Sequence, residues 1–108
     1  MAANFYNYKV TLDTGATTVY AVPSSTTAIV IGCQISNRHS SSVEIDFWWT
    51  DASDAGNTSY LADDIVIPEA AAYEPIGGKL VLEAGDELRG LAATASVADV
   101  SLSVLELT

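Results

Sequence analysis

Positive charge is nearly missing from this sequence. Its 108 residues hold four lysines and arginines against 14 aspartates and glutamates, a formal charge of −10. A groove for phosphates needs cationic side chains gathered in a patch. Lys9, Arg38, Lys79 and Arg89 are scattered along the chain, so direct nucleic-acid binding is not expected. The single cysteine, Cys33, excludes an internal disulfide. It falls in phase with Ile29, Ile31 and Ile35, which reads as a small buried apolar side chain rather than a reactive thiol. No apolar run approaches the length of a membrane span, so no membrane partner is expected. The first residues, Met1 to Lys9, lack the basic start and apolar core of a signal peptide, and synthesis in a cytoplasm is the expectation. Helical periodicity is missing as well.

What is present is apolar and extended. Apolar residues make up 49% of the chain and charged ones 17%, the balance of a chain that folds around a core. A length of 108 residues predicts one domain, 1–108, with 1–8 as either a first strand or an N-terminal arm reaching a neighbouring subunit. Tyr6, Tyr8, Val10 and Leu12 share one face if this segment is a strand. The segment from Thr27 to Asn37 alternates strongly, with Ile29, Ile31, Cys33 and Ile35 predicted inward. In Val43 to Thr50 the predicted inward set is Val43, Ile45, Phe47 and Trp49. The polar connection between these two segments predicts an antiparallel hairpin at the centre of a sheet. Glu69 to Ala72 has the composition of one helical turn.

The last third reads strand, tight turn, strand, turn, strand. Leu80 and Leu82 alternate with polar positions, and Glu83-Ala-Gly-Asp86 is a turn in which Gly85 can adopt positive φ. Leu88, Gly90 and Ala92 share a face, as do Val100, Leu102 and Val104. Strand signals recurring at this spacing predict an all-β fold, a single antiparallel β-sandwich of jelly-roll-like or immunoglobulin-like type.

Chemical motifs are few. Asp13-Thr14-Gly15-Ala16 resembles the catalytic motif of retroviral-type aspartic proteases, in which two carboxylates share a proton and activate water. Ile76-Gly77-Gly78 is similar to that family's glycine-rich flap. The departures are a very short lead-in to Asp13 and Leu88-Arg89-Gly90, which reverses the order of the motif beneath the family's catalytic loop. The same residues also make an ordinary turn, with the aspartate capping it. His39 is the only histidine, its neighbours Ser40, Ser41 and Ser42 are too close in sequence for a triad, and no nucleophile elbow exists. Asp51, Asp54 and Asn57 lack the ligand alternation of a calcium loop, and only the fold could add Asp63 and Asp64 to them. No catalytic residue, metal ligand or cofactor is therefore assigned, and the protein is expected not to be an enzyme.

Lys79-Leu-Val-Leu-Glu-Ala-Gly-Asp86, the ending Leu102-Ser-Val-Leu-Glu-Leu-Thr108, and Thr18-Val-Tyr-Ala-Val-Pro-Ser24 together resemble small all-β virion structural proteins of tailed bacteriophages. The resemblance implies a capsid decoration or cement subunit, or else a neck or tail adaptor or fibre component. It also implies location in the virion, partners in the major capsid protein or other virion proteins, and self-association into a homo-oligomer. A different class, a carbohydrate-binding sandwich, would use Trp48 and the acidic loop as a stacking platform.

Residues whose phase leaves them outside a core are the partner-contact candidates. Trp48 alternates with Phe47 and Trp49 on the side of Glu44 and Asp46. Leu105 and Leu107 lie out of phase with Val100, Leu102 and Val104. Phe5 and Tyr6 stand near the N-terminus. Aromatic residues in such places are enriched in interface hot spots.

Overall fold

Strand β3 (Thr27–Asn37) runs through the middle of one of two packed sheets. The computed structural model describes residues 2–108; Met1, the first residue of the expected strand or arm, lies outside them. The other strands are β1 (Ala3–Thr11), β2 (Thr17–Ala21), β4 (Val43–Asp51), β5 (Asn57–Ile67), β6 (Ala72–Tyr73), β7 (Leu80–Leu82), β8 (Glu87–Ala92) and β9 (Ala98–Leu107). One sheet has the order β1-β9-β3-β6, with β7 also pairing β3. The other has the order β2-β8-β4-β5. Every pairing is antiparallel.

This interleaved order, with the chain changing sheet at most connections, is that of a jelly roll. It corrects the expected central hairpin. β3 and β4 lie in opposite sheets, and β4 pairs with β5 and β8 instead. The Glu83–Asp86 turn likewise carries the chain from one sheet to the other. Glu69 and Ala70 form a turn with Ala70 at φ 58°, and the chain enters β6 at Ala72, so the single helical turn is not made.

The predicted inward face of β4 is largely observed. Val43, Ile45 and Phe47 are buried, and Trp49 packs half-buried against the same core. Val100, Leu102 and Val104 of β9 and Leu88, Gly90 and Ala92 of β8 are also buried. The reading of β3 needs correction. Its buried apolar residues are Ala28, Val30, Cys33 and Ile35, while Ile29 is half-buried and Ile31 is 42% exposed. Pairing with β9 slips between Val30 and Gly32, so an extra residue reverses the face of everything before it. Gly32, isolated in a strand pattern, was the available sequence signal for that bulge.

Two buried polar side chains stitch the connections. Asn37 donates through Nδ2 to the carbonyls of Ser41, Ile67 and Pro68 at 2.9, 3.1 and 3.1 Å, and accepts from the amide of His39. Asp86 accepts from the amides of Ala52 and Glu83 at 2.9 and 2.8 Å, joining the β7–β8 turn to the loop after β4. Asn37 thus satisfies three carbonyls and one amide, and Asp86 two amides, that would otherwise lie without partners where strands end.

Candidate interaction surface

The first strand presents its aromatic residues to opposite faces. β1 pairs with β9 in unbroken register from Ala3↔Leu107 to Thr11↔Asp99, so Ala3–Thr11 is a strand of the subunit's own sheet. Tyr6 and Tyr8 face the opposite sheet, whose neighbouring strand β2 is short, and both remain exposed. Tyr8 lies 5.0 Å from Tyr20, ring centroid to ring centroid. Phe5 points the other way.

On that outer face Phe5 stands opposite Leu105, Leu105 opposite Ile29, and Ile29 opposite Val81. The register thus lays an apolar row across β1, β9, β3 and β7. Phe5 is 73% exposed and Val81 58%, with Leu105 and Ile29 half-buried between them. The bulged Ile31 adds to the patch, and Leu107 lies one row away between Ala3 and Thr27. Beside the row runs a trough of about 970 Å³, walled by Lys9 on β1 and by Glu74 and Ile76 on the segment before β7. Its floor includes Gly32, Ser101 and Ser103. Thus Phe5, Leu105 and Leu107 are brought together, along with Ile29, Ile31 and Val81. Ile29 and Ile31 escaped detection because the bulge reverses their phase.

Trp48 lies elsewhere. It is on the outer face of the second sheet, yet only 8% exposed, with its ring 5.5 Å from that of Tyr60. Tyr60 stands opposite it on β5 and carries the exposure, at 55%. The chain therefore covers Trp48 itself, and the open stacking platform of the carbohydrate reading is not formed by this residue.

The motifs weighed for chemistry resolve into local structure. Asp13 accepts from the amide of Thr14 at 2.8 Å in an exposed turn, and Gly15 does not use positive φ there. His39 is half-buried in the connection organised by Asn37. Asp51 caps a short 3-10 turn by accepting from the amide and hydroxyl of Ser53 at 3.1 and 2.7 Å. Burial pushes the Cys33 thiol up to about 12, the state of an inert core cysteine.

Carboxylates do converge at two places, one of which the sequence hinted at. β5 bulges at Asp63 and Asp64, Asp64 takes φ 53°, and its amide donates to Asp46 Oδ1 at 2.6 Å. Carboxylate oxygens of Asp46, Asp63 and Asp64 come within 4.8 Å of one another, as do those of Asp51, Glu83 and Asp86. Glu44 adjoins the first group. A hydrogen bond to Asp64 and that residue's charge hold Glu44 above the usual carboxylate range. Loss of hydration and the charges of Asp64 and Asp46 raise Asp63.

No protein-family model matches the chain, and no curated protein matches it by sequence. Solved structures share its fold. The acid-stable capsid structure of Helicobacter pylori bacteriophage KHP30 is 10% identical with TM-score 0.57, over 100% of this chain and 89% of that one. The T13 viral particle of IBDV is 9% identical with TM-score 0.58, over 96% of this chain and 30% of that one. A Bacillus endospore appendage of the disulfide-linked pilus type is 12% identical with TM-score 0.56, over 97% of this chain and 84% of that one. At these identities the likeness is one of fold, a β-sandwich that capsid proteins and a pilus subunit also use.

Proposed function

We propose that this protein is a non-enzymatic structural subunit of a bacteriophage virion, a decoration or cement protein that stabilises the head by protein–protein contacts with the major capsid protein. The observation that carries this reading is the apolar row Phe5–Leu105–Ile29–Val81, set across four paired strands and left open on a chain of charge −10. Scattered apolar side chains on a surface need no explanation, but a contiguous row does. Such a patch on an otherwise acidic molecule suits a specific protein partner, since the net charge discourages indiscriminate association. The fold it shares with capsid proteins of a phage and of IBDV supports a place in a virion. A neck or tail position would use the same surface on a different partner.

The reading also includes self-association on the particle. Its test is reconstitution: particles lacking the protein are incubated with purified subunit, and bound subunit is located by electron microscopy. Phe5→Asp and Val81→Asp should each weaken binding by roughly thirtyfold, as loss of about 2 kcal/mol at a contact centre implies. Full-strength binding by both variants would remove the row from the contact. Density on the neck or tail, rather than the shell, would move the protein to the alternative position.

A further inference from the structure

A jelly roll of two open sheets leaves strand edges, and an edge is a row of unpaired amides and carbonyls that can template another strand. Three of the edges here are blunted. β2 has five residues and a register slip between Thr18 and Tyr20. β5 is interrupted by two register shifts and carries Asp63 and Asp64 at its bulge. The edge beyond β3 is divided between β6 and β7, of two and three residues. β1 is different. It is nine residues long, in unbroken register, without proline or acid, and Lys9 is its only charge.

The direction of its unpaired groups follows from one hydrogen-bonded pair. Ala2 and Thr108 exchange both backbone bonds, at 3.0 and 2.9 Å. In an antiparallel ladder such pairs alternate, so the even-numbered residues of β1 bond β9. The amides and carbonyls of Ala3, Phe5, Asn7, Lys9 and Thr11 then point away from the sheet.

We propose that β1 is a dimerisation strand, pairing antiparallel with β1 of a second copy about a two-fold axis at Asn7. Three observations select this occupant. First, with the other edges blunted, β1 is the edge of this chain best able to pair with β1, which makes a sheet-to-sheet contact isologous. Second, full overlap of Ala3–Thr11 with itself centres on Asn7, and Asn7 belongs to the outward-pointing set. Ala3 then pairs with Thr11, Phe5 with Lys9, and Asn7 with Asn7, so every outward amide and carbonyl finds a partner. Third, charge permits the approach at this edge. Glu44, Asp46, Asp51, Asp54, Asp63, Asp64 and Glu87, half of the 14 acids, lie on β4, β5, β8 or the loop between β4 and β5, in or beside the other sheet. The acids on neighbouring β9 are spoken for: Asp99 is paired with Arg38, and Glu106 is buried.

Side chains agree with this register. Tyr6 meets Tyr8 of the second copy in the close, non-hydrogen-bonded type of pair. Phe5, the most exposed of the large apolar residues among those described, gains the Lys9 ammonium as a cation–π neighbour. The two five-stranded sheets merge, and the apolar rows of both copies come to lie on one continuous face.

This names the contact for the self-association in the virion reading and rests on that reading. The experiment uses purified protein without particles, so failure here leaves particle binding to be tested separately. Mass by light scattering across a concentration series should show a monomer–dimer equilibrium. Asn7→Pro should shift it to monomer without lowering the melting temperature by more than a few degrees, because the Asn7 amide makes no bond within the subunit. Amide exchange supplies a readout that survives a poorly folded variant. In the wild type, the amides of Phe5, Asn7 and Lys9 should become protected as concentration rises, whereas those of Tyr6 and Tyr8 should be protected throughout. A wild type that stays monomeric up to millimolar concentration overturns the proposal. So does a dimer in which Phe5, Asn7 and Lys9 exchange as fast as in dilute protein, since its contact lies elsewhere or takes another strand.

Discussion

The hydroxyl of Tyr20 donates a 2.6 Å hydrogen bond to the carboxylate of Glu106, joining positions 86 apart in sequence and tying β2 to β9 across the two sheets. Glu106 is buried and also accepts from Tyr8 at 3.4 Å. Removing one partner of a buried pair leaves the other unsatisfied, so Tyr20→Phe should cost about 1–3 kcal/mol. For a chain of this size each kcal/mol lowers the melting temperature by roughly 4–8 °C. Burial, and then the Glu106 carboxylate, raise the pKa of Tyr20. Its contribution is therefore complete below the ordinary tyrosine value and is lost as pH climbs towards the raised one. Wild type should lose stability above about pH 10 more steeply than Tyr20→Phe. Equal slopes in denaturant titrations across that range would contradict this account.

Two isoleucines of β3 separate the bulged register from a regular one. Ile35 is fully buried, and Ile35→Ala should cost about 2–5 kcal/mol. Ile31 sits at the slip and faces out, so Ile31→Ala should fall within about 1 kcal/mol of wild type. Regular alternation would make the two alike, and urea unfolding of both variants distinguishes the cases.

That contrast marks what the sequence could reveal. Period-two alternation identified β1, β3, β4 and the last three strands, and the buried faces of β4, β8 and β9, because each is dictated by a single segment's own pattern; β5, broken by its bulges, shows no such pattern. It could not assign partners. β3 and β4 look like a hairpin, but which sheet a strand joins depends on contacts far along the chain. A bulge is equally invisible to a count of alternating residues, apart from the hint of Gly32. Trp48 reads as exposed because its cover, Tyr60, follows a loop and belongs to a strand whose register is itself broken. The acidic cluster escaped for the same reason: Asp46 meets Asp63 and Asp64 only through the β5 bulge.

Gly90 faces the core between β2 and β4, where Phe47 fills the space above it. A Cβ there would lie 2.8 Å from Phe47 Cδ1, 3.1 Å from the Asp46 carbonyl oxygen and 3.2 Å from Leu12 Cδ2. The backbone oxygen cannot turn aside as a side chain can. Gly90→Ala should therefore cost about 1–3 kcal/mol by overpacking, whereas an alanine at Gly32, with 3.9 Å to the Ser103 Cβ, should be tolerated better. Similar melting temperatures for the two variants would show that the core at Phe47 yields more readily than its packing implies.

The carboxylates around the β5 bulge make a prediction whose sign can be worked out. Glu44 is raised first by its hydrogen bond to Asp64 and then by that residue's charge, and Asp63 is raised by lost hydration and by Asp64 and Asp46. A carboxyl group with a folded-state pKa above its unfolded value binds its proton more tightly in the native protein. Its favourable contribution is complete below the unfolded value and disappears as pH rises through the raised one. At neutral pH the cluster is thus a site of mutual repulsion. Glu44→Gln should raise the melting temperature at pH 7 and leave it nearly unchanged below pH 4, where wild-type Glu44 is itself protonated. Both groups are exposed, so added salt should shrink the gain at pH 7. Asp46→Ala is a poor substitute for this test, because Asp46 Oδ1 accepts from the Asp64 amide and with it holds the bulge. Melting curves for Glu44→Gln at the two pH values, with and without salt, decide the matter: a gain that persists at low pH would have to come from something other than relief of charge.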